Sequence, residues 1–444
     1  MVGEELSKED VLNIVKKENV LFIRLQFVDI LGIPKNIVIP PSRIAEALEQ
    51  GIPFDASSIA GYATIEESDK IAMPDPKSFV IIPESIEKRK TAKLICDIYE
   101  PNGERFLGDT KFILEKIVNQ VKKMGFIYNT GPECEFFLFK KEDDNYSLCP
   151  NDAAGYFDLS HRDLAEGVRA DISVALNAFG IKTYTSHHEV SPGQHEINFR
   201  FSDALTVADR VITLKYITKV IARNHNLHAS FMPKPIFGLN GSGMHTHLSL
   251  FTLDGKNAFY DIDTKQLSDI AKYFIAGLLT HIKEISVILN PTVNSYKRLV
   301  PGYEAPTYIS WAHRNRSALI RIPTGRGNGM RCEIRSPDLS GNPYLQFAVL
   351  LAAGIKGIEE KIQLPAPVER NIYELSEKER DKYNIHHLPE SLGHALSFME
   401  NSSLLKETLG RHIYESFLHV KHKEWSDYRT QVTKWEIDKY LPII

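Results

Sequence analysis

Acidic residues at every second position of otherwise apolar segments set the tightest limit on how this chain can fold. Glu133 and Glu135 stand two residues apart in Gly131-Pro132-Glu133-Cys134-Glu135-Phe136-Phe137-Leu138-Phe139, so a strand presents both on one face. Glu196 and Asn198 do the same, with Glu189 shortly upstream in His187-His188-Glu189-Val190. His245, His247 and Ser249 alternate with Thr246 and Leu248, and in Arg331-Cys332-Glu333-Ile334-Arg335 the charged residues alternate with apolar ones. A single segment of this kind fits a sheet with one solvated face. Several together, set among Phe, Leu and Ile and carrying chiefly Glu and His, point to an inner face. Carboxylates crowded there repel unless cations neutralise them.

Glu133, Glu135, Glu189, Glu196, Glu333 and His245 form an oxygen-rich donor set without thiolate. Such a set suits magnesium or manganese rather than zinc. It exceeds what one magnesium that keeps its waters would take, so at least two ions are expected. Downstream runs a series of arginines: Arg298, Arg314, Arg316, Arg321, Arg326, Arg331 and Arg335. Arg314 and Arg326 fit surface pairing. Arginine beside divalent metal is what phosphoryl transfer requires, because charge develops on phosphate oxygens. The formal net charge of -4 and the lack of a basic domain with interleaved aromatics argue against nucleic acid as partner. No GxxxxGK[ST] loop occurs, and Gly238-Leu239-Asn240-Gly241-Ser242-Gly243 is only a weak sign of backbone approach to a ligand.

The first hundred residues read as a small α+β unit. Ser7-Lys8-Glu9-Asp10 has the form of a capping box, Ile23, Leu25 and Phe27 alternate as in a strand, and Ser42 is expected to cap a helix ending at Gly51. Phe79 to Ile82 and Ala92 to Ile98 supply further strands. Pro101-Asn102-Gly103 marks a boundary, dividing the chain into 1–103 and 104–444. Beyond it, helices are expected from Ser160 to Gly180 with Leu164, Val168, Ile172 and Leu176 on one face, over Ala204 to Arg223, and over Gln266 to Ile288. Another begins with Asn342 as cap and Pro343 at its first position. Apolar runs such as Phe347 to Ile355 fall short of the ~20 residues that span a bilayer, and the start is acidic. The four cysteines show no CxxC spacing. A cytoplasmic protein without membrane contact is expected.

With these segments in view, the chain resembles type I glutamine synthetases along nearly its whole length. The matching segments are Phe54-Asp55-Ala56-Ser57-Ser58, Gly131-Pro132-Glu133-Cys134-Glu135, Pro192-Gly193-Gln194-His195-Glu196 and Phe231-Met232-Pro233-Lys234-Pro235. Asn240-Gly241-Ser242-Gly243-Met244-His245, the run from Asn294 to Pro306, Asn315-Arg316-Ser317 and Arg331-Cys332-Glu333-Ile334-Arg335 continue them.

The resemblance implies an α+β fold: a β-grasp N-terminal domain, then a larger catalytic domain with an antiparallel sheet flanked by helices. It implies ATP-dependent ligation of ammonium to the γ-carboxylate of glutamate through a γ-glutamyl phosphate, with ATP as co-substrate. It further implies a homo-oligomer, a dodecamer of two stacked hexameric rings with sites between neighbours, and a nitrogen-regulatory protein as a partner of some members. By position, Glu135, Glu189 and Glu196 would hold one metal, and Glu133, His245 and Glu333 the second. Arg298, Arg335, Asn240 and Gly241 would grip glutamate. Arg316 and Arg321 would steady the phosphoryl group, while His247, Ser249 and Arg331 contact the nucleotide. Asp55, Tyr156, Glu189 and Glu304 would form the ammonium pocket and its lid.

Some positions depart from the family pattern. Ala56 replaces the usual glycine beside Asp55. Thr64 replaces an arginine linked to glutamine feedback in one branch. The short stretch from Lys140 to Tyr156 resembles the alpha-like subtype that lacks adenylylation. Tyr373 aligns with the tyrosine modified in the other subtype.

Overall fold

The small sheet forms around two strands of clear alternating pattern. In the computed structural model, which describes residues 6–63, 68–142, 145–159 and 161–444, Phe22–Val28 runs parallel to Thr91–Tyr99. Pro34–Ile39 and Asp69–Pro74 flank that pair antiparallel, Ile52–Asp55 forms an edge, and Val80–Ile81 also joins Thr91–Tyr99. Ile23, Leu25, Leu94 and Ile98 fall on the buried face with Val11 and Val15 of helix Lys8–Lys17. Each such side chain contributes roughly 1.5–3 kcal/mol by leaving water. Ser7 and Asp10 form the capping box. Ser42 does not cap. Pro41 already fixes a turn conformation there, so a 3-10 turn Pro41–Arg43 precedes helix Ile44–Gln50, which ends at Gly51. Thr64 lies outside the described residues.

The larger unit carries a ten-stranded sheet organised by one strand, Phe126–Glu142. Its first half pairs antiparallel with Thr246–Thr252 and its middle with Gln194–Phe199. Outward from these lie Cys332–Ile334 and Ile320–Arg321 on one side and Thr183–His188 on the other. All of these pairings are antiparallel; Trp311–Ala312 alone adds a short parallel pair at the end. Cys134, Phe136 and Leu138 point into the main core, against helices Thr110–Lys123, Glu166–Ala178 and Ala204–Asn224. A second helical layer, Asp269–Leu289 against Pro343–Glu359, lies beyond them. Asn342 caps the latter by accepting from Tyr344 N at 3.0 Å.

The helix expected from Ser160 starts at Glu166 instead. Ser160 lies outside the described residues, and Leu164 precedes the helix and is exposed. Asp163 sets this late start: its carboxylate accepts from Ala165 N at 3.1 Å and pairs with buried Arg169 at 2.6 Å, favouring a turn over helix.

Buried and partly buried hydrogen bonds join the two units. Asn342 Nδ2 donates to Asp29 O at 2.9 Å and Lys93 Nζ to Thr213 Oγ1 at 2.9 Å. Arg24 Nη1 donates to the Tyr216 hydroxyl at 2.9 Å, and His412 Nε2 lies 2.9 Å from Gly61 O. No helix among the described residues is long and apolar enough to cross a membrane.

Candidate active site

Sheet register brings the acids together. Glu196 lies directly opposite Glu135, Asn198 opposite Glu133, and His247 opposite both Gly131 and Glu333. Cross-strand partners share a face, so the alternation of each strand converges on one surface. That surface is covered: Glu135 and Glu196 are each 6% exposed and Glu333 is fully buried. It forms the floor of a cavity of about 240 Å³.

Glu133, His245 and Glu333 offer ligand atoms within 4.8 Å of one another. His245 Nδ1 is 3.2 Å from Glu133 Oε2. His247 Nε2 is 2.9 Å from Glu133 Oε1, while its Nδ1 accepts from Arg331 Nε at 3.2 Å. Arginine only donates, so the His247 proton sits on Nε2 and points at Glu133. Burial opposes ionisation of Glu133, but the His245 and His247 hydrogen bonds outweigh it and hold the carboxyl far below its ordinary range. Glu333 is gripped from two sides, by Arg321 Nε at 2.9 Å and by Arg335 Nη1 at 2.7 Å. Burial is again overcome, here chiefly by Arg335 and then by the two histidines, and Glu333 titrates low.

His187, Glu189 and Glu196 form a second such group. Burial, followed by repulsion from Glu133, Glu135 and Glu189, raises the Glu196 carboxyl well above the carboxylate range. Burial also raises Glu135 despite His245. Like charges facing each other across a ladder are unfavourable. A hard divalent cation, which prefers carboxylate oxygens with an occasional imidazole, fits both donor sets and removes that repulsion.

Asp152, His188 and His195 make a third group of similar spacing. It does not suit a metal. Arg169 Nη1 lies 3.0 Å from His195 Nδ1, and the other His195 nitrogen meets Asn151 Oδ1 at 3.3 Å. His188 is held between Asp152 Oδ1 at 3.0 Å and Glu189 O at 2.6 Å. Burial and the adjacent Arg169 push His195 down to about 3, so it stays neutral.

Arg298, Arg335, Asn240 and Gly241 line the far wall of the cavity. Arg298 is 2% exposed and is anchored by donating to Ser336 O at 2.7 Å and Arg335 O at 2.9 Å, which leaves other N–H donors of its guanidinium. The glycines nearby have a packing cause. A Cβ on Gly241 would meet Pro233 O at 2.1 Å, and one on Gly243 would meet Arg298 Nη2 at 2.4 Å. Gln194 Nε2 ties this wall to the acids, donating to Gly241 O at 3.0 Å and Glu135 Oε2 at 3.1 Å. Tyr156, Glu304, Arg316 and Arg321 also line the cavity.

An adjoining cleft of about 470 Å³ shares Glu133 with the cavity. His247, Ser249 and Arg331 line it with Tyr184, Phe199 and Phe201. Asp55 enters neither space. It is exposed on the small sheet, where its carboxylate accepts from Ser57 N at 2.8 Å.

Sequence reasoning passed over His187, Gln194 and Tyr303. The first was readable, since His187 and Glu189 are two residues apart and share a face. Of the aromatic walls of the cleft, Tyr184 carries no local signal, because it joins Phe199 and Phe201 in the lining from a different strand.

The family description "Glutamine synthetase, catalytic domain" matches residues 107–440, and "Glutamine synthetase, beta-Grasp domain" matches residues 19–101. The glutamine synthetase of Thermus thermophilus is 51% identical over 442 residues, covering 98% of this chain and 99% of that one. Those of Clostridium saccharobutylicum and Methanosarcina mazei are each 50% identical, covering 98% or more of either chain. Among solved structures, a GmaS/ADP complex superposes with TM-score 0.89 at 32% identity over 98% of this chain and 99% of that chain. A Plasmodium falciparum glutamine synthetase superposes with TM-score 0.88 at 27% identity over 99% of this chain and all of the other. The chain belongs to the glutamine synthetase family, and is a glutamate–ammonia ligase that makes glutamine at the expense of ATP.

Proposed function

We propose that the cavity carries out the synthesis in two steps. In the first, a γ-carboxylate oxygen of glutamate attacks the terminal phosphorus of ATP, giving γ-glutamyl phosphate and ADP. In the second, ammonia attacks the acyl carbon and phosphate leaves. The convergence of buried acids and arginines on one covered sheet face carries this reading.

Arg298, Arg335 and the Asn240-Gly241 wall bind and orient glutamate. Arg316 and Arg321 face the phosphoryl group and offset its charge. The aromatic cleft with His247, Ser249 and Arg331 takes the nucleotide; the similar GmaS structure is an ADP complex, which supports that choice. Magnesium or manganese, held by Glu133, His245 and Glu333 and by Glu135, Glu189 and Glu196, would supply positive charge to phosphate oxygens. Tyr156 and Glu189 border the ammonium pocket. Asp55 accepts the proton that ammonium sheds, and Glu304 excludes water from the acyl phosphate.

Asp55 comes from a neighbouring copy in a dodecamer of two stacked hexameric rings. Its exposure and the buried hydrogen bonds that fix the small unit (1–103) to the large (104–444) support this. A cytoplasmic location, and binding of a nitrogen-regulatory protein, rest on family resemblance alone.

A mixing experiment tests the shared site. Asp55→Ala and Glu133→Ala chains should each be nearly inactive alone. Co-assembled, they form some sites with intact metal ligands and a neighbour's Asp55, and activity should return in part. Mixed oligomers verified by mass yet as inactive as the parents would exclude the arrangement. Phosphate release from ATP and glutamate that depends on ammonia, and less on methylamine, tests the reaction itself.

A further inference from the structure

Tyr303, Glu304 and Ala305 follow one another along the cavity wall. Glu304 has φ +55°, a left-handed conformation that a residue with a side chain rarely adopts without support from its surroundings. That support grips the residues on either side of it.

On one side stands Lys234. It is 8% exposed, and its Nζ lies 3.5 Å from the centroid of the Tyr303 ring. The same ammonium donates to Leu239 O, beside the Asn240-Gly241 wall. Among the described residues no carboxylate pairs with it. A buried ammonium without a counterion is unfavourable, and the ring face and the carbonyl are what compensate it here. Asn294 fixes the Lys234 backbone, accepting from its N at 2.7 Å and donating to its O at 3.0 Å. On the other side, Tyr373 reaches in from the 3-10 turn Ile372–Glu374 and its hydroxyl donates to Ala305 O. Glu304 itself is held at its backbone, with Arg335 Nη2 3.5 Å from its carbonyl oxygen.

We propose that Lys234 and Tyr373 are positioning residues that clamp the segment on both sides of Glu304 and hold that carboxylate over the cavity. Lys234 does so while bound to the turn that borders the glutamate wall, so the lid and that wall move together. This rests on the reading of Glu304 as the group that keeps water from the acyl phosphate.

The test uses the full-length assembled enzyme and compares phosphate released with glutamine formed, at saturating ATP and glutamate and varied ammonia. Wild type should give equal yields. Tyr373→Phe and Lys234→Met should each release several-fold more phosphate than glutamine and raise KM for ammonia several-fold, with KM for ATP unchanged. Lys234→Arg, a cation that still stacks on a ring, should recover most of the coupling. Equal yields in Tyr373→Phe and Lys234→Met would overturn the clamp. So would uncoupling in only one of them, or uncoupling by Lys234→Arg as large as by Lys234→Met. A wild type that hydrolyses ATP without making glutamine would instead overturn the proposed reaction.

Discussion

Glu333 and Glu196 both lie on the covered face of the large sheet, both almost wholly buried, and their surroundings shift them in opposite directions. Glu333 is held between Arg321 and Arg335 and stays ionised. Glu196 faces Glu135 across the ladder, has His187 Nε2 4.0 Å away, and tends to keep its proton. One side of the site is thus neutralised by the protein itself, whereas the other sets carboxylates against one another. Burial of a carboxylate does not by itself make a metal site dependent on metal for its integrity; the partners decide.

The largest expected effect breaks the neutralised side. Glu333→Gln should lower synthesis by about 10²–10³-fold or more. In chelator it should also destabilise the fold by about 3–5 kcal/mol in urea unfolding, because two arginines lose the anion between them. Glu196→Gln should change stability by less than about 1 kcal/mol under the same conditions, since an amide of the same shape removes the repulsion from Glu133, Glu135 and Glu189. Equal losses in the two variants would remove the distinction.

A smaller effect sharpens it. Manganese titration should release protons, more of them as pH is lowered, because the raised Glu196 carboxyl must ionise to bind a cation, and this is seen as a buffer-dependent heat in calorimetry. Glu196→Gln should abolish that release and Glu333→Gln should keep it.

The smallest effect is the pH dependence of the metal-free protein. Glu196 is raised in the folded chain, so above the unfolded range near pH ~4.3 the folded state holds more protons and stability falls as pH rises. Glu133 is depressed, so its contribution is present above that range and is lost only as pH falls far below it. Thermal unfolding in chelator should therefore weaken from pH ~5 upward, and Glu196→Gln should flatten that slope. A slope unchanged in the variant would assign it to other groups.

Much of this was legible in the sequence because strand period is local. Glu133, Glu135, Glu196 and Glu333 each fell on a predictable face, and antiparallel register then made those faces one. What was not legible depends on distance along the chain. The late start of the helix at Glu166 turns on Asp163 choosing Arg169, and the glycines at 241 and 243 answer to close approach of Pro233 and Arg298. Arg321 and Arg335 were readable as cations, but not as the pair that brackets Glu333, because Arg321 is brought in by a separate strand.

The junction between the small and large units sets a geometric constant. Asn342 on Asp29 and Lys93 on Thr213 lock the angle between the surface that offers Asp55 and the surface that opens on the cavity. If each copy meets the next through those two surfaces, as proposed, that angle is repeated at every step, and a fixed turn either closes on itself or winds into an open helix. In the proposed ring, the count of subunits would then be set by the shape of one protomer before any partner arrives. Loosening a single buried amide at position 342 would show itself as a spread of ring sizes.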